Sequence, residues 1–226
     1  MSAIIIDGKI VHYEVLGRGK PIIFLHGWVG SWRYWIPAMQ SASTDYRAYA
    51  IDLWGYGESA KDKALYSLEE QANLIDHFMN AMGIGKVALI AHGLGAAAAL
   101  LFSAKNDSVV DRSMIISPPI LEDNLQEKFG STNPGDLAKR LLEQSHKSEI
   151  VDSESQKIDQ AAIDTSLKEL AYIKMIDVSH QVNTPSLVVN GDKDPVIQAL
   201  NQAEKNMLPR LFHHIRFEES GHFPML

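Results

Sequence analysis

The stretch Val87-Ala-Leu-Ile-Ala-His-Gly-Leu-Gly-Ala-Ala-Ala-Ala-Leu-Leu101 decides the fold of this chain. Residues 87–91 are an apolar run of the length and composition of a buried strand. The run breaks at the small residues Gly93 and Gly95 and continues in alanine and leucine, which are strong helix formers. The stretch therefore predicts a strand, a tight turn and a helix, in that order.

The composition limits the classes of function. The chain has 226 residues, of which 46% are hydrophobic and 22% charged, and this is enough for one α/β domain with a sizeable core. It has no run of about 18 apolar residues and no signal-peptide pattern, so we expect a soluble, cytoplasmic protein without a membrane partner. A net charge of −7 without clustered Lys and Arg argues against a nucleic-acid partner.

The absence of cysteine excludes disulfides, thiolate metal sites and a cysteine nucleophile. No group of histidines has a convincing metal-ligand spacing, so we expect no metal and no cofactor. The expected partner is a small-molecule substrate or ligand, and the expected state is a monomer or a dimer.

The first half of the chain alternates strands and helices. Asp7-Gly8 between two apolar segments predicts a β-hairpin. Residues 22–25 and 46–51 read as strands, and each runs into a glycine-rich loop. Ser67 with Glu70 predicts a capped helix that extends to about Met82. This alternation predicts a mostly parallel sheet.

The second half contains a helical insertion. A short strand at 113–116 ends at Pro118-Pro119, and residues 136–144 and 160–178 then have helical spacing, with a polar stretch at 145–156. Strands return at 185–190 and 213–217, with a helix predicted at 196–207. We therefore expect a core of residues 1–118 and 183–226 and a helical cap of residues 119–182.

The motifs together resemble the α/β-hydrolase superfamily, in its lidded esterase, lactonase and C–C hydrolase branch. Residues 91–95 occupy the place of the nucleophile elbow, G-x-S-x-G. The other matching motifs are His26-Gly27, Asp52-Leu-Trp-Gly-Tyr-Gly-Glu-Ser59, Gly191-Asp-Lys-Asp194 and Ser220-Gly-His-Phe223. The resemblance implies a mostly parallel twisted sheet flanked by helices, with a helical lid inserted after the sixth strand.

The resemblance also implies roles for individual residues. His222 would be the catalytic base and Asp194 its acid partner, with Asp192 as the alternative acid. The N–H groups of Trp28 and Leu94 would form an oxyanion hole. The expected substrate-binding residues are His26, Gly27, Trp28 and His92, although the two histidines could instead brace the loops.

The sequence departs from the family pattern at Gly93, which stands where the nucleophile is expected. We expect a hydrolase of a small, mostly apolar ester, lactone or related carbonyl compound that is inactive or strongly impaired as given, so its being an enzyme is left open. One alternative is a non-catalytic ligand-binding or regulatory protein. Another is a cofactor-free lyase or oxygenase-like enzyme that uses the His222–Asp194 pair as a base.

The second departure is at the end of the sequence. Family members continue after the histidine loop into a final helix, which is absent here. We therefore expect one face of the last strands to be uncovered and the chain to be less stable or more prone to associate than a longer one.

Overall fold

The computed structural model describes residues 2–122, 124–143 and 149–226. It contains one eight-stranded sheet with the spatial order β1-β2-β4-β3-β5-β6-β7-β8. The strands are β1 (Ser2–Ile6), β2 (Lys9–Gly17), β3 (Lys20–Leu25), β4 (Tyr46–Ile51), β5 (Val87–His92), β6 (Val110–Ile116), β7 (Ser186–Gly191) and β8 (Phe212–Phe217). β2 is antiparallel to β1 and β4, and every later pairing is parallel. The predicted α/β architecture is confirmed.

Nine α-helices lie within the described ranges. They are α1 (Ile36–Ala42), α2 (Leu68–Met82), α3 (Gly93–Lys105), α4 (Leu125–Phe129), α5 (Pro134–Leu141), α6 (Glu149–Ser155), α7 (Gln160–Leu170), α8 (Met175–Ser179) and α9 (Gln202–Lys205). None of the helices in those ranges is long and apolar enough to cross a membrane.

Local sequence signals account for the early elements. Asp7 and Gly8 have φ of +49° and +77°, the left-handed pair that a two-residue hairpin needs. The Ser67 side chain accepts the N–H of Glu70 and caps α2, and Gly83 ends that helix in a left-handed conformation. These boundaries agree with the sequence prediction.

Helix α3 is the central helix of the fold. Residues 93–100 of it are all buried, because α3 packs between the sheet and the neighbouring helices α2 and α8. Its alanines let the backbones approach closely. At Gly95 the approach is closest, since a Cβ built there would lie 2.6 Å from the carbonyl oxygen of His26 and 2.8 Å from that of Leu25.

The prediction of a helix at 196–207 is wrong, because only α9 is helical there. The carboxylate of Asp194 accepts the N–H groups of Val196 and Ile197, each at 2.9 Å, in an Asx-type turn, but no helix follows this turn directly. Asn201 then opens the short helix α9 with a capping box.

The helical segment of residues 119–182, called the helical block below, also differs in detail from its prediction. The segment 160–178 is divided into α7 and α8 by a turn. The stretch predicted as polar and non-helical contains α6, and its residues 145–148 lie outside the described residues. Glu154 of α6 is buried and pairs with Arg33 at 3.2 Å and Lys157 at 3.0 Å. The tertiary pair with Arg33 and the local i,i+3 pair with Lys157 stabilise a helix that local propensity does not favour.

Helix α7 anchors the block to the sheet domain. The Tyr66 hydroxyl donates to the carboxylate of Asp159 at 2.7 Å, just before the helix begins. Near its end, Glu169 accepts the N–H of Leu68 at 2.6 Å. Both ends of α7 are therefore held by the chain around the start of α2.

Apolar side chains are exposed on β8, the edge strand at the opposite side of the sheet from β1. On β8, Ile215 is 42% exposed and Phe217 is 46% exposed. A groove of about 630 Å³ runs over β3, β5, β6 and β7, with Ile22, Ile90 and Met114 among its lining residues.

The contact at Gly95 leads to a prediction about stability. Replacing Gly95 with Ala should destabilise the fold by about 1–3 kcal/mol or more, because the new methyl group would meet the backbone of β3. Urea unfolding measures this. Gly85→Ala is the matched control, since a Cβ there meets nothing within 4 Å. Equal stability of the two variants would contradict the close approach of α3 to β3.

Candidate active site

Gly93 lies at the junction of β5 and α3. Its φ is +50°, a left-handed conformation that strains a residue with a Cβ. His92 is the N-cap of α3, so Gly93 is the first residue of the helix and is buried. The turn has the geometry of a strand-to-helix elbow, without a side chain at its apex.

The indole ring of Trp28 covers this apex. A Cβ built on Gly93 would lie 3.0 Å and 3.1 Å from the ring atoms Cε3 and Cζ3 of Trp28. The ring is fully buried, its Nε1–H donates to the Ser166 hydroxyl at 3.1 Å, and it packs edge-on against Phe129 at 4.9 Å. Helices α4 and α7 thus contact the side chain that lies on the elbow.

His222 and Asp194 form a buried pair. The Nδ1–H of His222 donates to Oδ2 of Asp194 at 2.7 Å. Burial alone would raise the pKa of Asp194, but His222 and two backbone N–H groups outweigh it and hold that pKa below its usual value. The alternative acid, Asp192, faces Arg216 at 3.7 Å instead.

The other ring nitrogen of His222 is free. Its Nε2 is buried and has no hydrogen-bond partner in the described part of the chain. The ring lies 4.6 Å from that of His92, the residue before Gly93. With the proton of the neutral ring on Nδ1, the lone pair on Nε2 is available to accept a proton.

The loop after β3 is held from both sides by His26. Its Nδ1–H donates to the carbonyl of Gly27 at 2.9 Å, and its Nε2 accepts the N–H of Leu53 at 3.0 Å. Burial lowers the pKa of His26, so the ring is neutral. Both ring nitrogens are used by the backbone, so the side chain braces the loop and offers no hydrogen bond to a ligand.

The two expected oxyanion donors are open. The N–H groups of Trp28 and Leu94 have no hydrogen-bond partner among residues 2–122, 124–143 and 149–226. Leu94 lies in the first turn of α3, where backbone N–H groups have no partner within the helix. The N–H of Leu94 is therefore an unpaired donor beside Gly93, whereas the N–H of Gly95 donates to the carbonyl oxygen of His26 at 3.0 Å.

His92 is also fully engaged. Its Nε2–H donates to the carbonyl oxygen of His222 at 2.9 Å, and its Nδ1 accepts the hydroxyl of Tyr34 at 3.1 Å. The same hydroxyl accepts the N–H of Gly27 at 2.6 Å. Tyr34 was not among the predicted site residues, because nothing in the sequence distinguishes it from the neighbouring aromatic residues Trp32 and Trp35.

The Asp52 loop supports the loop after β3. Its carboxylate accepts the N–H groups of Trp32 and Glu58 at 2.9 Å and 3.0 Å and pairs with His12 at 3.0 Å. A Cβ on Gly57 would lie 2.1 Å from that carboxylate, so this position requires glycine. The loop thereby presents the N–H of Leu53 to the brace at His26.

The Nε2 of His222 is therefore open to accept a proton, and the N–H groups of Trp28 and Leu94 are each open to donate. Among the described residues, no cluster of three or more His, Cys, Asp or Glu side chains could hold a metal ion. The expected residues Gly27, Trp28, His92, Gly93 and Leu94 lie together, with His222 and Asp194 against them.

Comparison with known proteins identifies the fold family. A family model described as "alpha/beta hydrolase fold" matches residues 20–157. A soluble epoxide hydrolase from a Corynebacterium species is 31% identical over 111 residues, which are 49% of this chain and 39% of that protein. The chain thus spans well under two thirds of this curated relative.

Solved structures share the fold over nearly the whole chain. An esterase from Exiguobacterium antarcticum superposes with a TM-score of 0.84 at 19% identity, covering 97% of this chain and 91% of the esterase. A serine-to-glycine mutant of an N-acyl homoserine lactonase, complexed with N-hexanoyl homoserine lactone, superposes with a TM-score of 0.79 at 19% identity. The match covers 99% of this chain and 91% of the lactonase.

The buried neutral histidines lead to a prediction about acid stability. Burial lowers the pKa of His26 and, more strongly, that of His92, from an ordinary value of 6.5. As the pH falls below about 6.5 the unfolded chain gains protons that the folded chain does not bind. The free energy of unfolding should then fall with decreasing pH, with a limiting slope of about 1.4 kcal/mol per pH unit for each of these histidines.

Urea unfolding between about pH 7 and pH 5 tests this. His92→Gln should reduce the slope by the contribution of one histidine. His213→Gln, at an exposed position of β8, controls for the loss of a histidine as such. A slope that His92→Gln leaves unchanged would contradict the neutral state of the buried ring.

Proposed function

The chain belongs to the α/β-hydrolase fold family, and from that premise we propose that its site at Gly93 and His222 binds a small, mostly apolar ester, lactone or related carbonyl compound. Gly93 supplies no attacking atom, so the chain as given forms no acyl intermediate and is inactive or strongly impaired as a hydrolase. Loss of the catalytic serine in a comparable protease costs about a millionfold in turnover.

The observation that carries the proposal is the free Nε2 of His222. Buried polar atoms in proteins are as a rule hydrogen-bonded, so an unpaired one beside an elbow points to a ligand or a water in the functional state. The carboxylate of Asp194 keeps the ring in the tautomer that leaves this nitrogen free.

The surroundings favour an apolar ligand with one carbonyl. Trp28, Phe129 and Leu94 are buried apolar side chains near the elbow. The unpaired N–H groups of Trp28 and Leu94 suit a carbonyl oxygen that gains negative charge. A pocket with apolar walls and a few polar groups is typical of small-molecule sites.

The solved neighbours support ester and lactone chemistry. One is an esterase, and another is a lactonase in which a serine has been changed to glycine and which was solved with an intact lactone. A protein of this fold with such a change can therefore bind an ester-type ligand. The same is proposed for the present chain.

A second candidate is base catalysis without a covalent intermediate, as in a cofactor-free lyase or oxygenase-like enzyme. The free Nε2 of His222 also favours it, since a base needs only an open lone pair. Turnover by the unchanged chain that is lost in His222→Ala would support this candidate. Binding without any turnover would leave a ligand-binding or regulatory protein.

Restoring a nucleophile is the decisive experiment. Gly93→Ser should cost about 1–3 kcal/mol of stability, because it places a Cβ at positive φ. The Cβ also meets the Trp28 ring, so the ring must shift by a few tenths of an ångström. We expect labelling of Ser at this position by a fluorophosphonate and hydrolysis of short activated esters and lactones.

The controls separate chemistry from sterics. The unchanged chain should not be labelled, and His222→Ala in the serine background should remove both labelling and turnover. A double variant that combines Gly93→Ser with Trp28→Phe makes room for the new side chain, because phenylalanine lacks the second ring of the indole. If both serine variants fold but neither is labelled nor active, the proposed hydrolase site is wrong.

A further inference from the structure

We propose that Tyr34 and His92 are positioning residues that hold the loop at Gly27 and the loop at His222 in a fixed relation to each other. The catalytic meaning of this inference rests on the proposed function, because these two loops supply the oxyanion donor Trp28 and the base His222. The coupling between the loops is a property of the hydrogen bonds alone and can be measured separately.

The first half of the connection runs from Gly27 to His92. The N–H of Gly27 donates to the Tyr34 hydroxyl at 2.6 Å, and that hydroxyl donates to Nδ1 of His92 at 3.1 Å. A Cβ on Gly27 would lie 2.7 Å from the same Nδ1, so the loop backbone is also in close contact with the ring. The carbonyl of Gly27 is held by His26.

The second half runs from His92 to His222. A carbonyl oxygen can only accept, so the bond from His92 to the oxygen of His222 places the ring proton on Nε2. This leaves Nδ1 as the acceptor for Tyr34. The Ser117 hydroxyl donates to the same carbonyl at 3.2 Å, and Ser117 is held at a φ of +43°. The backbone of His222 is therefore fixed from two directions.

The direction of every bond in this series is determined. Burial raises the pKa of Tyr34 well above its usual value and, together with His222, lowers that of His92 well below its own. Both side chains are therefore neutral. The Tyr34 hydroxyl must donate to Nδ1 of His92, and Nε2 of His92 must donate to the carbonyl oxygen of His222. A neutral, fully paired network inside a protein has a single low-energy arrangement.

The topology explains why such a connection is needed. The loop at Gly27 follows β3, and the loop at His222 follows β8, and these strands are separated in the sheet by β5, β6 and β7. His92 is the last residue of β5, between them. The Tyr34–His92 connection therefore joins the two loops by hydrogen bonds across the strands that separate them.

The first experiment measures the coupling in the unchanged Gly93 chain, without any activity. Histidine labelled with ¹³C and ¹⁵N reports the ring resonances of His222 and the tautomer of His92. Tyr34→Phe removes the hydroxyl that joins Gly27 to Nδ1 of His92 and should shift the ring resonances of His222, while the bond to the His222 carbonyl keeps the His92 proton on Nε2. Unchanged His222 resonances would overturn the proposal.

A matched control is available close by. The hydroxyl of Tyr56 is buried and has no partner in the part of the chain that the structure describes, and its ring lies 5.0 Å from that of His26. Tyr56→Phe therefore removes a buried hydroxyl near the same loop without breaking a hydrogen bond to another described residue. Tyr56→Phe should leave the His222 resonances unchanged. A shift as large as that caused by Tyr34→Phe would overturn the proposal.

The second experiment uses the Gly93→Ser background. Tyr34→Phe should lower kcat for an activated ester about tenfold with little change in KM, because loop placement matters most in the transition state. Tyr56→Phe should leave kcat unchanged. A change in KM with kcat unaltered would overturn the positioning role. Equal effects of Tyr34→Phe and Tyr56→Phe on kcat would also overturn it.

The two proposals fail separately. If the serine variant is inactive while Tyr34→Phe still shifts the His222 resonances, the proposed function fails and the coupling stands. If the serine variant is active and Tyr34→Phe changes neither kcat nor the resonances, the coupling fails and the proposed function stands.

Discussion

The close approach of α3 to β3 is the constraint on which the rest of the structure depends. Gly95 allows it, since any side chain there would overlap the backbone of Leu25 and His26. The approach brings the first turn of α3 beside the loop after β3. Unpaired N–H groups from both segments then lie next to Gly93.

Around this contact, three buried side chains, His26, His92 and Tyr34, form hydrogen bonds with neutral partners. His26 and His92 use both of their ring nitrogens, and Tyr34 both donates and accepts. His222 is different, because its Nδ1 is committed to Asp194 and its Nε2 is left open. A rigid set of paired groups thus surrounds one open nitrogen, which is the arrangement that a preorganised site requires.

Gly93 and Trp28 illustrate the opposition of stability and activity. Glycine adopts the left-handed φ without strain and leaves room for the indole ring, which the helical block holds through Ser166 and Phe129. A serine would regain an attacking atom but would bring back the strain and press on the ring. The observed pair of Gly93 and Trp28 therefore fits together without backbone strain and without steric overlap.

The sequence by itself determined the hairpin at Asp7-Gly8, the cap at Ser67 and the strand–turn–helix unit at Gly93, because each depends on backbone preferences of a few neighbouring residues. It also predicted Asp194 and His222 through their motifs. Only the tertiary structure decided the roles of Tyr34, Ser117 and Ser166, and the loss of the helix at 196–207. Tyr34 is 58 residues from His92 and Trp28 is 138 residues from Ser166, and hydrogen bonds across such separations follow from how the strands are ordered in the sheet, which no local pattern encodes.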